Sequence, residues 1–255
     1  MASARRSGRR GRRFKSDIPD KKYFMRKPYL KKLKTIGKIT VWQVDGLYVR
    51  NHLNREFTNF GQHYRFPFIP TYEFWLDKEK DPGEEKYFIE HLLLEWRLMK
   101  EKGANFQVAI AKADRLERAE RYKSEKIKKL SLRKNDPEII KKIHQKILKK
   151  YSNQKVQVWL VDGELVRDLY FIDFVQGGHH YVYRFMPENE VWIDNDLSRA
   201  EYPFVILHEL HERHLMRDKK LGYDEAHNSS SAIEYQCRKK KILFDKKLKN
   251  VLLLQ

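Results

Sequence analysis

The stretch VILHELHERHLM, residues 205–216, sets three histidines and two glutamates among residues that otherwise read as the apolar face of a helix. His208 and Glu212 are four apart, so on a helix they stack on one face, the spacing by which one helix gives two ligands to a metal ion. A third ligand must come from another element. His227 in YDEAHNSSSAIE is the candidate, at the start of what reads as the next helix. Glu234 follows seven residues later, again on the face of His227, where it can orient a ligand or bind in its place. His211, and His179 after two glycines in a loop, are further supporting or alternative ligands. The chain has one cysteine, Cys237, which excludes an internal disulfide and any Cys-based cluster, so a metal must rest on His and carboxylates. One Zn²⁺ or another divalent ion per chain is the expected cofactor. The competing reading is structural: His208 and Glu212 as a hydrogen-bonded pair fixing the helix, with Glu209 and His211 facing solvent.

The chain contains its own comparison. From Lys38 onward the sequence realigns on itself at a constant offset of about 117 residues, with about one position in three identical over roughly 80. KITVWQVDGLYVR matches KVQVWLVDGELVR, and FIEHLLLEWRLM matches VILHELHERHLM. Shared positions include Trp42/Trp159, Asp45/Asp162, Arg50/Arg167, Trp75/Trp192 and Met99/Met216. This reads as an internal duplication, with repeat 1 at 38–118 and repeat 2 at 155–238. His91 and Glu95 match His208 and Glu212, whereas Leu92 replaces Glu209, Leu94 replaces His211 and Ile110 replaces His227. The pattern fits one copy that kept chemistry and one that became scaffold.

The local motif H-E-L-H-E partly resembles the HExxH motif of zincin-like metallohydrolases, with Glu212 where the second histidine would stand. The resemblance implies that Glu209 is the general base that takes a proton from metal-activated water, that His208 and Glu212 are ligands, and that His227 supplies the third from the following helix. Repeat 2 as a whole also resembles small uncharacterised bacterial and phage proteins with an HE…E…LM…Y..AH…E signature. That second likeness implies that His208, Glu209, Glu212, His227 and Glu234 act together. It covers about a third of the chain and carries no substrate.

These residues need elements to position them. VQVWLVDG alternates aromatic and β-branched residues before an Asp-Gly break, predicting a strand and turn into ELVRDLYF as a second strand, with Asp162 and Arg167 fixing the hairpin. GGHHYVYRFMPENEVWID predicts a loop, a strand through Tyr181, Tyr183 and Phe185, a turn, and a short strand at EVWID. Residues 200–220 have helical spacing, and a second helix follows, with Asp224 as a fair N-cap. The fold class is therefore α+β: two tandem homologous repeats, each a small β-meander followed by two helices, joined by a basic helical connector at 119–154. The connector reads as helix–turn–helix broken at KNDPEII, with Asp136 capping and Pro137 in the first turn. His144 within it reads as solvated.

The net charge of +19 sits in the attachments. The arm 1–37 carries about +12, the connector about +8 and the tail 239–255 about +5, while repeat 2 is acidic by about six. Arg5, Arg6, Arg9, Arg10, Arg12 and Arg13 stand among small residues in an arm expected to be disordered alone. Together with Lys141, Lys142, Lys149 and Lys150 they predict binding to nucleic acid or another polyanion by counterion release. No apolar run is long enough for a membrane span and the first residues are not an apolar leader, so an intracellular, non-secreted protein is expected, cytoplasmic or associated with a nucleoid or virion. Two functions stay open: a metal-dependent, peptidase-like hydrolase carrying polyanion-binding extensions, and a structural nucleic-acid-associated component whose metal site, if any, only braces the fold.

Overall fold

A computed structural model of the protein describes residues 27–80 and 82–255. The arginines at positions 5 to 13 lie outside the described residues. The first half begins with β1 (Tyr29–Ile36) and β2 (Ile39–Val44), followed by α1 (Gly46–His52), β3 (Phe60–Gln62), β4 (Glu73–Asp77), α2 (Glu85–Lys102) and α3 (Phe106–Arg121). Two short helices, α4 (Glu125–Ser131) and α5 (Pro137–Ile143), lead to β5 (His144–Ile147). The second half continues with β6 (Gln157–Val161), α6 (Gly163–Leu169), β7 (Gly177–His179), β8 (Glu190–Asp194), α7 (Tyr202–Asp218), α8 (Tyr223–Lys239) and α9 (Lys241–Leu253). The protein is α+β, with the same layout in both halves. No helix among the described residues is long and apolar enough to cross a membrane.

The two sheets have equivalent strand orders, β1-β2-β4-β3 and β5-β6-β8-β7. They are not meanders. The central strands run parallel, Trp42 opposite Trp75 in one sheet and Trp159 opposite Trp192 in the other. A parallel pair needs a crossover, and here α1 and α6 supply part of it. ELVRDLYF is accordingly helical rather than a strand. Asp162 accepts a hydrogen bond from the Leu165 amide at 2.8 Å as N-cap, and Val166 and Leu169 are buried. An i, i+3 apolar spacing behind an Asp cap outweighs the short alternation. Gly163 is required there because an added Cβ would lie 2.1 Å from the Asp194 carboxylate. The run through Tyr181, Tyr183 and Phe185 is likewise turn rather than strand. Tyr183 folds back over Gly178, and its amide donates to the carbonyl of His179 at 2.9 Å.

The edge strands fall in segments whose sequence reads as attachments. β1 occupies 29–36, within the arm's basic run, and β5 takes residues 144–147 of the connector, which is therefore not helical throughout. Pro137 does sit in the first turn of α5, with the Asp136 side chain accepting from the Glu138 amide at 2.9 Å. Ile127, Ile139 and Ile143 are buried against Val166, Phe174 and Trp192, so the connector closes the back of the second half's core. His144 is half-buried: it stacks on Trp159 and its Nε2 meets Glu190 at 2.8 Å. Tyr29 takes the equivalent place in the first half, edge-on to Trp42 and donating to Glu73 at 2.7 Å. On the other face of the second sheet, Ile206, Leu207 and Leu210 of α7 pack on Val158, Val191 and Ile193.

Candidate functional site

The helix pair α7–α8 and the end of β7 place three imidazoles around one carboxylate. Glu212 stands in the middle. His227 Nδ1 lies 2.9 Å from its Oε2, His208 Nε2 lies 3.5 Å from the same oxygen, and His179 Nε2 lies 3.2 Å from Oε1. The rings of His208 and His227 approach to 3.2 Å between Nε2 and Nδ1. Ligand atoms of His208, Glu212 and His227 all fall within 4.8 Å of one another, as do those of His179, Glu209 and Glu212. Among the described residues only these two groups of His, Cys, Asp and Glu do so, and Glu212 belongs to both. The i, i+4 spacing on α7 brings His208 and Glu212 together. Gly222 rather than Asp224 is the N-cap of α8, Asp224 lies in its first turn, and His227 falls in its second turn, facing α7.

His179 is the residue that spacing alone underrated. It ends β7, fully buried, and neither ring nitrogen has a hydrogen-bond partner among the described residues; the approach to Glu212 is close but poorly directed. Leaving a buried polar group unpaired costs about 1–3 kcal/mol. Burial holds its imidazole below the ordinary histidine range, outweighing the Glu212 carboxylate. A neutral ring with an available nitrogen is the form that binds a metal. The available signal was the pair of glycines before it: a Cβ on Gly177 would lie 2.8 Å from the Trp192 carbonyl oxygen, so the strand carrying His179 needs a bare backbone there.

The outer groups aim the inner ones. Glu234 lies 2.9 Å from His208 Nδ1, leaving Nε2 toward the cluster. Glu234 is in turn held by Arg238, at 3.0 Å from Nε. On the other side of the cluster, His227 Nε2 faces Glu56 of the first half at 3.5 Å. His211 does not join. Its Nε2 faces Ser229 Oγ at 3.5 Å, and burial with the neighbouring His214 lowers its pKa to about 4.

Electrostatics follow from this crowding. Burial opposes charge on His208, but the carboxylates of Glu212 and Glu234 more than offset it and hold the imidazole well above its usual range. For His227 burial is again outweighed, by Glu212 and Glu56, to give a pKa of about 9. Burial would also raise Glu212, yet the three histidines directed at it hold it well below the carboxylate range. Glu209 has no such partners. Burial first, then the Glu212 charge, raise it to about 8. Two neighbouring carboxyls are thus driven apart, one always ionised and one able to carry a proton near neutrality.

The first half repeats the cluster without its surplus. His91 Nδ1 lies 2.9 Å from Glu117 and Nε2 3.5 Å from Glu95, matching His208 with Glu234 and Glu212. Gln62 takes the place of His179. Its amide donates to Glu95, and its carbonyl accepts from the Tyr64 amide at 2.7 Å, so both ends are satisfied. Leu92 and Ile110 stand where Glu209 and His227 do. Both clusters line one cavity of about 800 Å³ between the halves.

Arg167 joins the halves and Asp162 caps α6, rather than the two fixing a hairpin: Arg167 bonds Asp194 of its own sheet at 2.5 Å and Glu84 of the first half at 2.7 Å. Lys141, Lys142, Lys149 and Lys150 are all exposed and lie on the connector, away from the cavity lining. No protein-family model, curated protein or solved structure matches the chain.

Proposed function

We propose that the second half binds one divalent metal ion, zinc fitting the donor set best, through His179, His208, Glu212 and His227, and that the protein is a metal-dependent hydrolase acting on a carbonyl substrate in the cavity. The observation that carries the reading is His179, a fully buried imidazole whose Nδ1 has no partner and whose Nε2 meets only the Glu212 carboxylate, itself already flanked by two more histidines. Three imidazoles and one carboxylate are borderline donors of the kind zinc takes, and a catalytic ion there would have to keep a further position for water beyond these four. The first half supports the assignment by contrast, since there the same positions close into a finished hydrogen-bonded network.

Zinc held there would supply Lewis acidity and a water acidic near neutrality. The chain's own part falls to Glu209, buried on the cavity wall with a carboxyl that can exchange a proton near pH 8. It accepts the proton of the attacking water as the new C–O bond forms and returns it to the leaving group as the scissile bond breaks, so atoms and protons balance. Glu234 and Glu56 hold His208 and His227 in orientation. The basic segments serve a separate purpose, attachment to nucleic acid or another polyanion.

Elemental analysis of chelator-free, untagged protein stripped of nucleic acid tests the reading. About one zinc per chain is expected in the wild type, with loss in His208→Ala and His227→Ala and retention in His91→Ala. Glu209→Gln should keep the metal and lose turnover in an ester and peptide screen. A wild type that takes up no metal even on reconstitution would leave the structural, polyanion-binding role as the function.

A further inference from the structure

The cavity that holds the cluster has two unlike ends. At the second half's end, Gly177 lies on the wall next to Glu209 and leaves the approach to the cluster bounded by backbone. At the equivalent place in the first half, 117 residues earlier, stands Phe60, whose ring packs on Phe88 at 4.7 Å and on His91 at 5.1 Å. Around it Leu92, Phe106 and Ile110 also line the cavity. Around Leu92 the buried polar groups are spoken for, His91 by Glu117, Glu95 by Gln62, and Glu117 by Arg121 at 2.8 Å; Asn59, also on the cavity wall, keeps an unpaired Nδ2. A charged or hydrogen-bonding substituent placed against Leu92 and Ile110 would lose its water and gain no partner there. An apolar one would gain from burial.

We propose that the wall of the first half built by Phe60 of β3, Leu92 of α2 and Phe106 and Ile110 of α3 is the subsite for an aliphatic or aromatic chain on the substrate, whose reacting carbonyl lies at the His179–His208–Glu212–His227 cluster. This rests on the metal-site reading above. The copy that lost its ligand and base positions to aliphatics is then the specificity half, and the substrate class is an ester or amide with an apolar acyl group.

The test is binding of a hydroxamate pair to the zinc-loaded full chain by calorimetry. Acetohydroxamate reports the metal alone, and octanohydroxamate adds six methylenes, which should raise affinity at least about a hundredfold if the chain is buried. Ile110→Asn and Phe106→Ser, both at half-exposed positions, should abolish that gain while leaving zinc content and acetohydroxamate binding as in the wild type. Equal affinity of the two hydroxamates in a zinc-loaded wild type would overturn the subsite and leave the metal reading standing. A chain gain that persists in both variants would overturn it as well, since the tail would lie elsewhere. Should the wild type take no zinc, the metal reading fails, and octanoate against acetate on the metal-free protein decides the subsite. Preference for octanoate lost in Ile110→Asn upholds the apolar wall, and no preference overturns it.

Discussion

Arg167 of the second half is buried against Glu84 of the first, Nε to Oε1 at 2.7 Å, and 117 residues away in each direction the exchange is returned by Arg50 and Glu201 at 3.3 Å. Each arginine also binds an aspartate of its own sheet, Arg167 to Asp194 and Arg50 to Asp77 at 2.6 Å. Glu201 is further held by Arg238, which holds Glu234, which orients His208. The contact between the halves is thus continuous with the candidate ligand set.

All five N–H groups of Arg167 are used: two on Glu84 and one each on Asp194, Asp196 and the Phe174 carbonyl. Arg167→Met should therefore cost about 3–5 kcal/mol, because removing one member of a buried ionic network strands the others. Arg167→Lys should recover only part, since an ammonium cannot reproduce the planar fork. Urea unfolding followed by tryptophan fluorescence checks both. A loss below 1 kcal/mol in Arg167→Met would show that the halves are not joined through this contact.

His91 gives the first half a pH signature. Burial opposes its charge, but Glu117 and Glu95 offset that and raise its pKa to about 10. A histidine whose folded pKa lies above its unfolded value of 6.5 adds stability that is complete below about pH 6.5 and is lost as pH rises toward 10. The stability difference between wild type and His91→Gln should shrink steadily between those limits. A difference that is flat across the window would mean that His91 is neutral in the folded protein.

Glu56 belongs to the first half and His227 to the second, yet the carboxylate faces the imidazole Nε2 across the cavity. With zinc on Nδ1, that contact fixes the tautomer, and its loss should weaken zinc by about 10–100-fold. Chelator competition on Glu56→Gln measures this, with stability and the metal-free fold as controls. Affinity equal to wild type would mean that the second half holds its metal unaided.

Much of this arrangement was legible from spacing. The His208/Glu212 pair, the approach of His227 and the repeated layout follow from helical period and self-alignment, which are local properties. What was not legible is non-local. The parallel pairing of β2 with β4 turns a hairpin reading into strand–helix–strand, and only the folded chain shows that His144, read as solvated, replaces Tyr29 at a Glu–Trp corner. Glu56 and His179 join the cluster from loops and short strands that carry no period at all. The basic count likewise concealed that residues 29–36 are a strand.

The exposed Lys141, Lys142, Lys149 and Lys150 and the six arginines at positions 5 to 13 predict a polyanion affinity with a steep salt dependence. Replacing the six arginines by serine should flatten the slope of log K against log salt by several units on a mixed-sequence duplex, and replacing the four lysines by serine should flatten it further. Neither change should alter zinc content. An unchanged slope would remove nucleic acid as the partner of these segments.

His179 and Gln62 occupy equivalent positions, and the difference between them tests the proposed metal site. Gln62 bonds Glu95 and the Tyr64 amide; His179 has only the 3.2 Å approach of Nε2 to Glu212 and leaves Nδ1 without a partner. In the metal-free protein His179→Gln should give Glu212 a well-directed amide donor, satisfy its own second polar end as Gln62 does, and raise stability by about 1 kcal/mol. In the presence of zinc the same change removes a ligand, so affinity should fall at least tenfold and the metal-dependent rise in melting temperature should shrink with it. A residue that only filled space would give the opposite pattern, destabilising the metal-free protein and leaving zinc binding alone. Thermal unfolding of wild type and His179→Gln, each with and without zinc, distinguishes the two, because the ligand role requires the sign of the effect to reverse on adding metal.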